Sequence, residues 1–377
     1  MSSVLIFGDT VRLPELRREI PHAVADPFLY VEHDEKRYVV VRSLEVARMN
    51  GVAGLNPLPL EEFGLDELVA GGSSSEDALV EIASRACSKL GVTRATVPGS
   101  FPIEIADRLR ADGLQLDVKR EVFFARRRSK TSEQLGGMRK ATRAAEAATA
   151  AIAACLRASE PVDGVVHFEG RPLTSERLKT AAAQAFVESD AVADEFIVAH
   201  GWQTCTGHHM GSGEIGVAEP ITVDLWPRDA SSGYHTDMTR TFVVGEVSDE
   251  LRAYHGLCQE ALARAVDAIR PGVRGRDLHR LACEVFEAAG YPTQLSKQPG
   301  EVLLDGFFHG LGHGVGLEVH ESPQLDLSGG ELIPGDVVAV EPGCYRQGYG
   351  GVWLEDLVLV TDDGCEVITQ YPYDLEP

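Results

Sequence analysis

Residues 309–321 read HGLGHGVGLEVHE, a stretch in which three histidines fall within twelve residues. Glycines at 310, 312, 314 and 316 flank the central His313. Because glycine has no side chain, we expect the backbone here to admit a metal or a substrate at close range. A glycine-rich loop with exposed histidines is the alternative interpretation of this stretch taken alone.

Two aspartates are placed where a hairpin would bring them together. Asp224 ends the apolar run ITVD, and Asp237 lies in YHTDMTRTF after the turn-forming residues RDASSG. The two carboxylates are therefore predicted to face each other across a pair of strands. A buried carboxylate is costly unless it is protonated, hydrogen-bonded or bound to a cation. Taken singly, each aspartate is more often a turn residue or a satisfied polar group.

Two glutamates interrupt runs of branched apolar residues. Glu341 lies in DVVAVEPG and Glu355 in GGVWLEDLVLV, and both runs have the composition of buried strands. Burying an ionised glutamate without a partner costs several kcal/mol, so both side chains need compensation. Bound cations would compensate both at once.

Together these motifs predict a metal site of four carboxylates and one imidazole. The predicted ligands are Asp224, Asp237, His313, Glu341 and Glu355. Their formal charge of about −4 balances two divalent cations. Oxygen-rich sets with one histidine favour Mn²⁺, Co²⁺ or Fe²⁺, whereas structural zinc sites use thiolates. None of the seven cysteines adjoins these residues, so Mn²⁺ is the first expectation, and Co²⁺, Fe²⁺ and Zn²⁺ stay open.

The chain, with 377 residues of which 44% are hydrophobic, is long enough for two domains. In residues 1–128, extended runs such as DPFLYVEH and KRYVVV alternate with helical stretches such as EDALVEIASRACSKL. This alternation predicts a small α/β domain, for which a structural or oligomerisation role is favoured. The run EVFFA near its end is predicted as a strand that leads into three arginines, 126–128.

Residues 129–377 mix helices and strands as in an α+β domain of two related halves. Thr131 and Gln134 form a capping box that begins a long alanine-rich helix. Further helices are predicted near 172–188, 249–269 and 275–289. Strands are predicted at ITVDLW and YHTDMTRTFVVG and near 336–341, 351–360 and 365–369.

Composition limits the classes of partner. A net charge of −23 disfavours nucleic acid and anionic membranes, because both require a basic surface. No apolar run is long enough to span a bilayer, and the seven scattered cysteines form no disulfide framework. We therefore expect reduced cysteines and a cytoplasmic location.

The motifs resemble those of metallopeptidase family M24, which contains methionine aminopeptidase, aminopeptidase P and prolidase. The resemblance implies a pita-bread catalytic domain in residues 129–377. Residues 1–128 resemble a creatinase-like domain, which implies the prolidase and aminopeptidase P branch. That branch implies a homodimer that hydrolyses the N-terminal residue from peptides or dipeptides with proline at the second position. Dipeptidase and aminopeptidase P activity stay open as alternatives.

The same resemblance implies roles for individual residues. Asp224 would chelate one metal, His313 and Glu341 the other, while Asp237 and Glu355 would bridge both. A hydroxide held between the metals would attack the scissile carbonyl. Further catalytic or substrate-binding roles are implied for Glu341 as proton shuttle and for three histidines, His208, His309 and His320. His209 adjoins His208 and leaves that assignment open.

This sequence departs from the family pattern at two places. Asp224 is followed by the bulky Leu225 and Trp226, and the spacing to Asp237 is longer than in much of the family. Trp353 stands where an arginine is common, two residues before Glu355. Two alternatives are a non-catalytic binding or scaffold protein of the same fold and a metal-free hydrolase resembling creatinase. The segment GSGEIG, 211–216, follows no strand directly and is not interpreted as a dinucleotide site.

Overall fold

The computed structural model of the chain describes residues 3–377. The chain divides into two compact units, Met1–Arg127 and Arg128–Pro377. Each unit has hydrophobic clusters of its own. Among the described residues, no helix is both long enough and apolar enough to cross a bilayer. All seven cysteines are free, and five of them are buried.

The first unit is a mixed sheet covered by helices on both faces. Alternate residues of its first strand enter two different hydrophobic clusters, Leu5 and Phe7 in one and Val4 and Ile6 in the other. The sheet has the order β4-β3-β2-β1-β5-β6. Its strands are β1 (Ser3–Gly8), β2 (Phe28–His33), β3 (Lys36–Val41), β4 (Leu55–Pro59), β5 (Arg94–Val97) and β6 (Gln115–Val118). Its helices are α1 (Pro14–Glu19), α2 (Ser43–Met49), α3 (Leu65–Ala70), α4 (Ser75–Lys89), α5 (Ile103–Ala111) and α6 (Arg120–Arg128).

One prediction for this region is wrong. The run EVFFA, expected as a strand, belongs to helix α6. Phe123 and Arg127 lie one helical turn apart, and both are buried, at 2% and 4% exposure. Aromatic and branched residues favour strands in composition, but here tertiary packing of one helical face outweighs that preference.

The second unit contains four long helices in two pairs. They are α7 (Ser132–Arg157), α8 (Ser175–Glu188), α9 (Asp249–Ala268) and α10 (Gly275–Ala288). The predicted capping box is confirmed, because the Gln134 amide donates to the Thr131 hydroxyl and the Thr131 amide donates to Oε1 of Gln134. The helices predicted near 172–188, 249–269 and 275–289 are confirmed as well.

Each helix pair covers a separate antiparallel sheet. The first sheet has the order β11-β12-β14, and the second has the order β16-β15-β17-β20-β21. The strands of these two sheets are β11 (Ile197–His200), β12 (Pro220–Leu225), β14 (Met238–Val243), β15 (Gly312–Gly314), β16 (Glu321–Leu325), β17 (Val337–Val340), β20 (Asp356–Val360) and β21 (Cys365–Val367). One hydrophobic cluster joins α7 and α8 to the first sheet, and another joins α9 and α10 to the second. This arrangement confirms an α+β domain with two similar halves.

Short strands account for two differences from the sequence predictions. The remaining strands are β7 (Glu160–Val162), β8 (Val165–Phe168), β9 (Arg171–Pro172), β10 (Ala191–Val192), β13 (Arg228–Asp229), β18 (Gly343–Arg346) and β19 (Gly350–Trp353). The connection from β12 to β14 is more than a hairpin turn, because β13 within it pairs with β10. The strand expected over 351–360 is divided into β19, which pairs with β18, and β20, which pairs with β17.

Candidate metal centre

Asp224 and Asp237 lie on one face of the first sheet. Asp224 is opposite Thr239 in the pairing of β12 with β14, and Asp237 directly precedes β14. Side chains two residues apart on a strand point to the same side, so Asp237 and Thr239 share a face. The two aspartates are therefore diagonal neighbours across the strand pair.

Glu341 and Glu355 lie at the ends of two paired strands. Glu341 follows β17 directly, and Glu355 directly precedes β20. Val340 is opposite Asp356 in this antiparallel pair, and continuing the register places Glu341 beside Glu355. The chain changes sheets at this point, so the carboxylates stand where regular pairing stops.

His313 approaches this group from the middle of β15. Its Nε2 atom lies 3.5 Å from Oε1 of Glu341 and 3.8 Å from Oδ2 of Asp237. Its Nδ1 atom lies 3.2 Å from the carbonyl oxygen of Gly314, which can only accept a hydrogen bond. Nδ1 therefore carries the proton, and Nε2 directs its lone pair toward the carboxylates.

Burial raises the pKa of all four carboxyl groups. The pKa of Asp224 rises to about 7, although interactions with Thr239 and Asp237 oppose the rise. For the other three, repulsion among the carboxylates adds to burial and lifts the pKa well above its usual range. They are Asp237, Glu341 and Glu355. The state in which all four carboxyl groups are ionised is therefore unfavourable unless cations are bound.

Burial has the opposite effect on the imidazole. It lowers the pKa of His313 to about 3, and the neighbouring His320 contributes in the same direction. His313 is therefore neutral near neutral pH, the form in which imidazole binds metals.

Two oxygens of the group have no hydrogen-bond partner among the residues that the structure describes. Oδ1 of Asp237 and Oε1 of Glu355 are buried, and neither has a hydrogen-bond partner within residues 3–377. Ligand atoms of Asp237, His313 and Glu355 all lie within 4.8 Å of one another. Buried oxygens without partners, beside a neutral imidazole, form a donor set that fits a divalent cation.

Thr239 and Arg240 hold Glu355 in place, and sequence reasoning missed both. The Thr239 hydroxyl donates to Oε2 of Glu355 at 2.7 Å. Arg240 donates to the Glu355 carbonyl at 2.7 Å and to Oδ1 of Asp356 at 2.9 Å. Thr239 could have been found from its position two residues after Asp237, on the same strand face.

Two of the glycines that flank His313, Gly312 and Gly314, serve packing between strands, while Gly310 lines the cavity described below. A Cβ atom on Gly312 would lie 1.9 Å from the carbonyl oxygen of Ala339, on β17. A Cβ atom on Gly314 would lie 2.4 Å from the carbonyl oxygen of Ser322, on β16. These two glycines therefore let β15 fit between its two neighbours.

The carboxylates open into a cavity of about 610 Å³ within the second unit. All five predicted metal ligands line it, and so do the predicted histidines His208, His309 and His320. His209 lines it too, and its Nδ1 accepts a hydrogen bond from the Gly211 amide at 3.0 Å. His208 has a φ of 57°, a left-handed conformation that residues other than glycine seldom adopt.

The other two histidines have different surroundings. His309 donates from Nδ1 to the carbonyl of Gly310 at 2.8 Å, and Nε2 lies 3.0 Å from the Tyr345 hydroxyl. Burial lowers the pKa of His309 to about 4. The His320 ring stands edge-on to that of His313, with centroids 4.1 Å apart. His320 is thus beside the carboxylate group, while both ring nitrogens of His309 have protein partners.

Trp353, the residue that departs from the family pattern, lines the same cavity. Its indole N–H is buried and, in the part of the chain that is described, has no acceptor in hydrogen-bond geometry. Burial and Asp224 raise the pKa of Glu341, and Trp353 opposes that rise. The indole N–H is therefore directed toward Glu341, outside regular hydrogen-bond geometry.

Comparison with known proteins identifies the family. Residues 136–362 match the model of metallopeptidase family M24. The Xaa-Pro dipeptidase of Pyrococcus furiosus is 34% identical over 180 residues, 47% of this chain and 48% of that protein. The chain spans about half the length of the curated relatives it matches.

Solved structures extend the similarity of fold to the whole chain. Prolidase from Pyrococcus furiosus superposes with a TM-score of 0.78 at 22% identity, covering 99% of this chain and 97% of the other. The X-Pro aminopeptidase from Thermotoga maritima gives a TM-score of 0.80 at 20% identity, with coverage of 99% and 97%. The expected pita-bread fold is thereby confirmed. The chain belongs to metallopeptidase family M24.

Proposed function

We propose that this chain is a metal-dependent exopeptidase that removes the N-terminal residue from Xaa-Pro peptides. The observation that carries the proposal is the cluster of four carboxylates around His313, of which three are buried and that of Glu341 is 13% exposed. Two buried oxygens of this cluster have no hydrogen-bond partner within residues 3–377. Such a cluster is costly in the absence of cations. The named activities of the relatives, Xaa-Pro dipeptidase and X-Pro aminopeptidase, support proline at the second position.

The proposed ligands would hold two divalent cations. Asp224 would hold one cation, His313 and Glu341 the other, and Asp237 and Glu355 would contact both. Divalent cations, when bound, supply Lewis acidity that lowers the pKa of water and polarises a carbonyl group. Mn²⁺ is proposed as the native cation, and Co²⁺, Fe²⁺ and Zn²⁺ are the alternatives for a reconstitution assay.

Proton transfer is assigned to Glu341 and His320. Glu341 lines the cavity at the end of β17 and is 13% exposed, so its carboxylate can exchange a proton with a substrate. His320 lies beside His313 on the same cavity, where its ring can donate a hydrogen bond to a carbonyl oxygen that gains negative charge. Glu341 would take up a proton from the attacking water, and His320 would either hydrogen-bond the developing oxyanion or relay that proton to the leaving nitrogen.

Substrate contacts are assigned to His208 and His309. His208 lines the cavity and is exposed, so its ring is free to reach a bound peptide. His309 can contact a peptide through Nε2 only if the Tyr345 hydroxyl gives up its position. A creatinase-like assignment for residues 1–128, a homodimer and a cytoplasmic location complete the proposal.

Metal content and peptide cleavage test the proposal together. Protein reconstituted with Mn²⁺ or Co²⁺ should hold about two cations per chain and cleave Xaa-Pro bonds. Asp237→Ala and His313→Ala should abolish turnover and keep the circular dichroism spectrum. His167→Ala is the matched control, because His167 lies on β8 and does not line the cavity.

The alternative functions predict different metal contents and cleavage activities in this experiment. Fewer than about one cation per chain after reconstitution would refute the dinuclear site and favour a scaffold protein or a metal-free hydrolase. Full metal content without cleavage of any Xaa-Pro bond would instead refute the substrate assignment. The intact set of five donors favours the enzyme over the scaffold protein.

A further inference from the structure

The cavity beside the carboxylates has no permanently cationic side chain. Neither lysine nor arginine occurs among the residues that line it in the described part of the chain. The acidic residues that line it are Glu195 and the four predicted ligands. The free C-terminal carboxylate of a dipeptide would therefore meet no lysine or arginine among the described residues that line this cavity.

The buried basic residues of the second unit are committed to other partners. Lys130 forms an ion pair of 2.6 Å with Glu321, and both side chains are at most 2% exposed. Arg240 is paired with Asp356 at 2.9 Å. Neither base lines the cavity, so neither can bind a substrate carboxylate there without breaking a buried ion pair.

One wall of the cavity is aromatic. The rings of Phe308 and Tyr345 have centroids 4.8 Å apart, and those of His309 and Trp353 have centroids 5.8 Å apart. Because both nitrogens of His309 are engaged, this wall offers no charged donor. Such a surface suits an apolar ring or a neutral amide and disfavours an anion.

We infer that the cavity accepts Xaa-Pro substrates with no carboxylate directly after the proline, such as tripeptides, longer peptides and amidated dipeptides, in preference to free dipeptides. The inference rests on the proposed function and specifies its substrate class. Burying a carboxylate without a partner costs several kcal/mol, whereas a neutral amide avoids that cost. The geometry thus favours aminopeptidase over dipeptidase activity.

Three matched substrates test this inference on the Mn²⁺-loaded full chain. They are Ala-Pro, Ala-Pro amide and Ala-Pro-Ala. The amide and the tripeptide should show kcat/KM at least about tenfold above that of the free dipeptide. Equal or higher kcat/KM for the free dipeptide would overturn the inference and leave the proposed function intact. No cleavage of any of the three would refute the proposed function itself.

Substitution of Trp353 tests the aromatic wall. Trp353→Arg places a guanidinium at the cavity and should reduce the preference for the amide over the free dipeptide by about tenfold. Trp353→Phe keeps the wall apolar and should retain the preference. An unchanged preference in folded Trp353→Arg would contradict the role of the wall. If that variant fails to fold, the values of kcat/KM for the three substrates on the natural chain test the inference by themselves.

Discussion

The hydroxyl of Thr239 donates a 2.7 Å hydrogen bond to Oε2 of Glu355, and the amide of Glu355 donates to the carbonyl of Thr239 at 3.1 Å. These reciprocal bonds join β14 of the first sheet to the start of β20 in the second. They fix one oxygen of Glu355 and leave Oε1 without a partner in the described chain. The orientation of a candidate metal ligand therefore depends on a residue that is not itself a ligand.

Thr239→Val removes this orientation with little change in volume. We expect metal affinity to fall by about 10- to 100-fold, because loss of a group that orients a ligand costs about that much. Calorimetric titration of the metal-free protein with Mn²⁺ measures the effect. Thr149→Val is the control, since Thr149 is also buried and its hydroxyl has no hydrogen-bond partner within residues 3–377. Equal affinities in the two variants would contradict the role given to Thr239.

Arg240 is predicted to stabilise the second unit strongly. Its side chain is 1% exposed and pairs with Asp356, and it also donates to the carbonyls of Tyr371 and Pro372. Arg240→Met should lower the free energy of unfolding by about 3–5 kcal/mol, because it leaves a buried charge without its counterion. Chemical denaturation measures the difference.

The matched control for Arg240 is an exposed pair in the same unit. Arg139 and Glu366 form a 2.8 Å ion pair, with side chains 37% and 46% exposed. Arg139→Met should cost at most about 1 kcal/mol. Similar losses in both variants would show that burial does not determine the strength of the Arg240 pair.

His200 and Glu219 form a pair whose contribution depends on pH. Nδ1 of His200 lies 2.8 Å from Oε2 of Glu219, and Nε2 lies 3.1 Å from the carbonyl of Ser212. Burial lowers the pKa of His200, but these hydrogen bonds outweigh it and raise the pKa overall. The bond with His200 in turn lowers the pKa of Glu219.

The direction of each pKa shift determines how the contribution of this pair to stability changes with pH. The His200 contribution is complete below its ordinary pKa of 6.5 and is lost as pH rises through the raised folded value. The Glu219 contribution exists above 4.5 and is lost as pH falls through the lowered folded value. Glu219→Gln should therefore lower the melting temperature most near about pH 6, and less as pH rises above neutrality.

Thermal melts of this variant and of Glu366→Gln across that range are the measurement. Glu366 pairs with an arginine, which does not titrate near neutral pH, so its effect should stay constant. If the difference in melting temperature between Glu219→Gln and the natural chain did not change with pH, the titration of the His200–Glu219 pair would be contradicted.

Sequence patterns predicted elements whose signals are local. Helices α4, α5 and α7 to α10 follow from apolar periodicity and from caps such as that of Thr131. Carboxylates in and beside apolar runs, together with the histidine–glycine pattern around His313, identified five residues that the fold brings to one cavity. Their role as metal ligands stays a prediction.

Features that depend on distant contacts were not predictable. Arg240 in the run TRT reads as an exposed strand residue, and its burial depends on carbonyls more than 130 residues away. The break before Glu355 likewise depends on which strands pair, since β19 and β20 join different sheets. Residues 351–354 and 357–360 are all apolar or glycine, so no local signal marks that break.

Substitution of Gly314 can show whether this glycine is needed for packing of β15 against β16 or for close approach of a ligand to the backbone. An added Cβ atom would lie 2.4 Å from the carbonyl oxygen of Ser322, and strand backbone cannot move aside cheaply. Gly314→Ala should lower the free energy of unfolding of the metal-free protein by about 1–3 kcal/mol. Gly256→Ala is the control, since no atom lies within 4 Å of the added carbon in helix α9, and it should stabilise by about 0.5–1 kcal/mol. Unchanged stability of metal-free Gly314→Ala, with loss only of metal binding, would instead support access of a ligand to the backbone.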